Sequence, residues 1–132
     1  MITSTLVNSS SLGSPVKVFV SSTTGAVIGS TSLVPLVPEG QVNAITSMML
    51  CNIYSPASLT NEDTGTCQVN VYLVKSGGGA TTTNMIINQL IIPAGETVFL
   101  SEERIVLDAG DEIQVSTSVA NRIAVTVSTL PV

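Results

Sequence analysis

The chain has 132 residues, a net charge of −5 and 44% apolar residues, with only 10% charged and 3% aromatic residues and neither His nor Trp. That length predicts a single domain over residues 1–132, able to bury roughly two-thirds of its unfolded surface. The cations Lys17, Lys75, Arg104 and Arg122 are scattered rather than clustered, which excludes a phosphate-binding patch and, with it, nucleic-acid and anionic-membrane partners.

In chain order, MITSTLVNSSSLG lacks the basic and apolar regions of a signal peptide, and the Ser/Asn-rich start over residues 1–14 reads as an extended arm that orders on assembly. VKVFV (Val16 to Val20) alternates, with Val16, Val18 and Val20 on one face and Lys17 and Phe19 on the other. GAVIGSTSLV (Gly25 to Val34) reads as a second strand with a bulge at Gly29, and PLVPEGQ (Pro35 to Gln41) as a turn or edge. VNAITSMMLCNI (Val42 to Ile53) is the longest strand expected, followed by CQVNVYLVK (Cys67 to Lys75). SGGGATTTN (Ser76 to Asn84) is a loop tip, and MIINQLII (Met85 to Ile92), apolar on both faces, is expected at a sheet centre. PAGE (Pro93 to Glu96) and DAGD (Asp108 to Asp111) are turns around TVFLSEERIVL, which breaks at Ser101 to Glu103. EIQVSTSV is expected to pair with RIAVTVS through Ala120-Asn121.

About eight strands at 8–12-residue spacing, with no 3.6-residue stripe and no long helix, predict an all-β antiparallel β-sandwich of jelly-roll or Ig-like type, with a closed barrel as the alternative. No apolar run approaches the roughly 20 residues of a spanning helix. A neutral skin of Ser, Thr, Asn and Gln predicts a surface that meets other subunits, because isolated soluble proteins carry more charge.

Cys51 and Cys67 flank a polar loop. Placing them opposite each other in a hairpin aligns Met49 with Val69 and Ile45 with Leu73, which puts both cysteines on a core face within disulfide range. Two thiols are the preferred reading, since no secretion signal is present, and a Cys51–Cys67 disulfide is the alternative. Two thiolates without His do not close a metal shell.

Without histidine, no Ser-His-Asp or Cys-His arrangement is available. Lys17 and Lys75 read as solvated, and KSGGG lacks the Lys-after-glycine order and following helix of a phosphate loop. Glu102 and Glu103 are adjacent and point to opposite faces of a strand, so they make no glycosidase pair. Asp108 to Glu112 and Asn61 to Asp63 lack the spacing of a calcium loop. Tyr54 is expected to be exposed and Tyr72 packed, which is too few rings for a carbohydrate platform. The expectation is therefore no enzyme, no cofactor and no metal.

The segments AITSMMLCNI, VNVYLVKSGG, IIPAGETV, EERIVLDAGDEI and IAVTVS, in that order over roughly residues 42 to 128, resemble small virion structural proteins of tailed bacteriophages, including phages of marine and cyanobacterial hosts. The resemblance implies a non-enzymatic building block present in many copies on a capsid, neck or tail, with other virion proteins and further copies of itself as partners. It implies a place in the virion, and in the host cytoplasm before assembly. The two long loops are the expected contact sites, with Tyr54, Asn61, Glu62 and Asp63 in one and Gly77, Gly78 and Gly79 in the other. The alternative reading is a host-surface adhesion or carbohydrate-binding module of the virion.

Overall fold

The computed structural model describes residues 2–21, 27–28, 33–34, 43–100 and 105–131. Its strands are β1 (Ile2–Leu6), β2 (Val16–Val20), β3 (Val27–Ile28), β4 (Leu33–Val34), β5 (Asn43–Asn52), β6 (Cys67–Val74), β7 (Met85–Ile92), β8 (Thr97–Leu100), β9 (Ile105–Leu107), β10 (Glu112–Thr117) and β11 (Ile123–Pro131). Among the described residues the only helical element is one 3-10 turn, Pro56–Ser58.

The antiparallel pairing is nested. β1 pairs with β11, β2 with β10, β5 with β8 and β9, and β6 with β7. The partnerships β11–β5 and β10–β6 complete two sheets, ordered β1-β11-β5-β8/β9 and β2-β10-β6-β7. A long hairpin rolled on itself in this way is the jelly-roll form of the β-sandwich, which is one of the two expected types. β8 and β9 lie end to end along the same edge of β5, so nine strands fill eight positions. β3 and β4 form a separate small hairpin where one strand is expected; Gly29, the segment Pro35 to Gln41 and the break at Ser101 to Glu103 lie outside the described residues.

Both expected hairpins between consecutive strands are corrected. β5 and β6 belong to different sheets, and so do β10 and β11. Alternation of apolar residues specifies which face of a strand turns inward, but carries no information about which strand lies beside it. Likewise MIINQLII is an edge strand, not a central one, and the expected arm is strand β1, whose five residues all pair with β11. Behind it the Val7 amide donates to the Ile123 carbonyl at 2.9 Å, and Val7 is fully buried.

The core is one cluster drawn from both sheets. Met48 and Leu50 of β5 and Ile123, Val125 and Val127 of β11 meet Val69 and Val71 of β6, Ile113 and Val115 of β10 and Phe19 of β2. Each fully buried side chain of this size contributes about 1.5–3 kcal/mol relative to exposure. The alternation expected for β2 fails at one point. Ile113 pairs with Phe19 and Gln114 with Lys17, so Val18 is the extra residue of a bulge, and both Val18 and Phe19 are buried.

The nesting sorts the connections into two ends. Segments 7–15, 53–66, 93–96 and 118–122 all link one sheet to the other at one end. Segments 75–84 and 108–111 lie at the opposite end, where the Ser76 amide donates to the Asp111 carboxylate at 3.0 Å.

Candidate functional site

The two loops expected as contact sites therefore sit at opposite ends of the sandwich and form no common surface. Each is built differently. The loop after β5 starts from Asn52, which is fully buried. Its amide nitrogen donates to the carbonyls of Gly65 and Ile92, both at 2.8 Å, and its oxygen accepts from the Tyr54 amide at 3.0 Å. One side chain thus ties the start of the loop, its end and the last residue of β7.

Arg122, from the connection between β10 and β11, clamps the same loop from outside. It donates two parallel hydrogen bonds to Asp63, at 3.1 and 2.8 Å, and its guanidinium lies 4.2 Å from the centre of the Tyr54 ring. This bidentate, stacked arrangement uses the planar fork that lysine lacks. The Arg122 guanidinium, aided by the Gly65 amide, holds the Asp63 carboxyl below the ordinary carboxylate value, and Asp63 in return raises Arg122. Tyr54 also donates its hydroxyl to the Ser58 carbonyl at 3.0 Å, so the ring expected to be exposed is half-buried and engaged on its face and at its tip. Gly65 has φ +75°, and a Cβ there would lie 2.7–2.8 Å from Tyr54, Ala94 and Leu59 side-chain atoms. Asn61 and Glu62 are exposed on the rim, as are Ile53 and Leu59.

At the other end, Gly77, Gly78 and Gly79 are exposed, and Asn84 closes the tip by donating to the Gly79 carbonyl at 2.8 Å and accepting from the Thr81 amide at 3.0 Å. Lys75 is exposed nearby; Lys17 is exposed too, with its ammonium 3.2 Å from the Glu112 carboxylate. A recess of about 200 Å³ lies between Leu73, Val74, Ile105 and Leu107, with Asp111 at its side. The Asp111 oxygens are already engaged by the amides of Ser76 and Asp108.

The cysteine geometry differs from the expected hairpin. Cys51 pairs with Ala124 and Thr97 in one sheet, whereas Cys67 pairs with Ile92 in the other; both are free. Met48, Leu50 and Asn52 point inward, so Cys51 alternates to the outer face of its sheet, and Cys67 is the buried one. Among the described residues no group of three or more His, Cys, Asp or Glu side chains is placed to hold a metal ion, and no helix is long and apolar enough to cross a membrane. Glu102 and Glu103 lie outside the described residues. Tyr72 is packed and hydrogen-bonded by Asn70 at 3.4 Å.

A further surface emerges only from the sheet order. On the outer face of β1-β11-β5-β8/β9, the register brings Leu6, Ala124, Cys51 and Thr97 into one row and Ser4, Thr126, Met49 and Phe99 into the next. Below them lie Ile2, Ser128 and Ser47, then Leu130, Ala44 and Val106. No described residue of this face is charged. Four of its large apolar side chains are more than half exposed: Ile2 (71%), Phe99 (63%), Val106 (61%) and Leu130 (56%). The signal available in sequence was the outward-alternating set of each strand, but only the strand order shows that these sets adjoin.

No known protein family matches the chain, and no curated protein or solved structure is significantly similar to it.

Proposed function

We propose that this chain is a non-enzymatic structural protein of a bacteriophage virion, decorating or cementing the capsid or forming an accessory layer of the neck or tail. The observation that carries the proposal is the outer face of the β1-β11-β5-β8/β9 sheet, where no described residue is charged and Ile2, Phe99, Val106 and Leu130 are held in water. An exposed apolar face on a chain this poor in ions is a surface made to be covered, and repeated covering of this kind is the work of an assembly subunit. The resemblance of residues 42 to 128 to phage virion proteins supplies the kind of assembly. The fold alone does not, because jelly rolls serve capsids, lectins and enzymes alike.

The adhesion reading draws less support. Tyr54 is spent on Arg122 and Ser58, and Tyr72 is packed, so neither described tyrosine offers a free ring for a sugar.

The test is co-sedimentation of the purified protein with tailed-phage particles stripped of their accessory proteins. Saturable binding, at a copy number matching a capsid, neck or tail symmetry, is the expected result. Failure to bind such particles, together with binding to a glycan array, overturns the proposal in favour of adhesion.

A further inference from the structure

The start of the chain is a strap that touches both sheets. β1 lies at the edge of the β1-β11-β5-β8/β9 sheet and, among the described strands, pairs with β11 alone. Beyond Val7 the strap crosses to β10 of the other sheet. There the Ser9 carbonyl accepts from the Thr117 hydroxyl at 2.8 Å and the Leu12 carbonyl from the Ser116 hydroxyl at 2.7 Å. The chain then turns at Gly13 and Ser14, both exposed, and a Cβ added to Gly13 would meet only the Ser11 Oγ, at 3.8 Å.

Little of β1 is held by packing. Ile2 and Ser4 are exposed and Leu6 is half-buried, so Val7 is the fully buried apolar anchor of the strap. Thr5 turns inward and buries a hydroxyl that meets no hydrogen-bond partner, the one such atom among the described residues. A buried orphan is a cost that the seated strand carries and the released strand, in water, does not. β1 therefore leaves more easily than a strand with neighbours on both sides. It leaves behind a regular edge. The seat, Ala124 to Ser128 of β11, lies within the stretch that pairs with β5 in unbroken register, and no proline, bulge or charge interrupts it.

From this arrangement we infer that the strap, residues 2–12, is exchangeable between copies: β1 of one molecule seats on β11 of the next, with Gly13 as the hinge. The inference rests on the reading of the chain as an assembly subunit and says how two subunits join. The occupant is β1 of a second copy because the seat fits it residue by residue. Ile2 lies opposite Ser128 and Leu6 opposite Ala124, and the Ser4 and Thr126 hydroxyls are 3.0 Å apart. Twelve extended residues span about 40 Å, so opening at the hinge carries β1 well clear of its own seat. Exchange breaks and remakes the same contacts, so its equilibrium follows local concentration. The strap is closed in dilute solution and exchanged where copies are crowded on a particle.

Ser4 and Thr126 provide the probe. Two proteins, both with Cys51→Ser, carry either Ser4→Cys or Thr126→Cys; Cys67 is buried and does not compete. They are mixed in equal amounts in a glutathione redox buffer at about 1 μM and at about 1 mM, and the disulfides are read by non-reducing electrophoresis and mass spectrometry. A third protein with both replacements tests the register by closing a disulfide within one chain. Ser4 and Thr126 lie on the outer face, so these replacements leave the fold intact, which is checked by unchanged far-UV circular dichroism.

The expected result is closure within one chain for the double variant. In the concentrated mixture, a disulfide between the two variants exceeds either like-with-like dimer at least about tenfold and disappears on dilution. A mixed disulfide no commoner than random pairing gives, or a double variant that does not close, overturns the inference. Capture of the Thr126→Cys thiol by a protein of stripped phage particles, in place of a second copy, assigns the seat to a foreign strand and overturns it as well. If exchange fails while the wild type still binds those particles, the structural role stands and only the exchange is lost; exchange without particle binding has the reverse meaning.

Discussion

Asn52 gives the sharpest prediction about what holds the loop end together. Replacing it with Ala removes the donors to the Gly65 and Ile92 carbonyls and the acceptor for the Tyr54 amide. Gly65 and Ile92 are buried, so water does not reach those carbonyls without local opening. Each buried unsatisfied group costs about 1–2 kcal/mol, the half-buried Tyr54 amide less, and the vacated space adds to the total. The sum is about 3–5 kcal/mol, a large part of the 5–15 kcal/mol typical of a whole domain. Equilibrium urea unfolding followed by far-UV circular dichroism measures it, with an unchanged m-value excluding a change in the unfolded state.

Asn52→Asp separates hydrogen bonding from packing, because the side chain keeps its size but loses both donors. Burial against two carbonyls raises the carboxyl pKa of the folded state above the unfolded value of about 3.9. Folding then opposes ionisation, so this variant loses stability as pH rises above about 4, and below that it regains one bond as a protonated donor. A loss of less than about 1 kcal/mol for Asn52→Ala, or an Asn52→Asp variant whose deficit is the same at pH 4 and pH 7, refutes the reasoning.

Other outcomes follow from the same end of the molecule. Arg122→Met, which keeps bulk over Tyr54 but loses the paired bonds to Asp63, speeds amide hydrogen exchange in residues 53–66 by about tenfold while leaving the strand amides slow. The Asp63 carboxyl is held low by Arg122, so its contribution is complete above the unfolded pKa of about 3.9 and is lost as pH falls through the folded value. A nuclear magnetic resonance titration shows this as an Asp63 midpoint that is lower in the wild type than in Arg122→Met, and the stability difference between the two proteins disappears in acid. Gly65→Ala costs about 2–4 kcal/mol, because a left-handed φ and three close side chains both oppose the methyl group. Gly77→Ala, with φ +79° and nothing within 4 Å, costs only the backbone share, about 1 kcal/mol; thermal melts of the pair separate the two effects.

Fold class was legible because it rests on local facts. Turn chemistry at PAGE and DAGD is chain-local, and both segments turn with a left-handed glycine, Gly95 at φ 77° and Gly110 at φ 88°. Strand adjacency is not local, and there the reading failed in a patterned way. The pairings expected between sequence neighbours, β5 with β6 and β10 with β11, cross between sheets instead, because a rolled hairpin pairs distant strands. The misplacement of Cys51 follows directly. Here β5 alternates in the opposite phase to the one expected: Met48, Leu50 and the polar Asn52 turn inward, while Met49 and Cys51, expected on the core face, turn outward. The clamp was invisible for a related reason: Arg122 and Asp63 are 59 residues apart, and nothing near either marks the other. β1 was hidden by composition, since its Thr and Ser residues read as an arm although Thr, β-branched like Val, is a strand former.

The edges and the open face of this molecule are treated in opposite ways, and the contrast bears on what the face is for. β7 carries exposed Ile86 and Ile91 and would template another strand if it were flat. It is not flat: Gln89 takes φ 55° and turns its amide onto the Asn70 side chain at 2.6 Å, which breaks the register with β6. β2 is bulged at Val18 and carries Lys17, β1 has only five residues, and β8 and β9 interrupt the remaining edge. Every edge thus has a feature that discourages strand addition, at some cost in regular pairing. Among the described residues the outer face of β1-β11-β5-β8/β9 carries no such charge, although one lysine in place of Phe99 or Thr126 would supply it. This contrast between guarded edges and an open apolar face is what the proposed role as an assembly subunit requires.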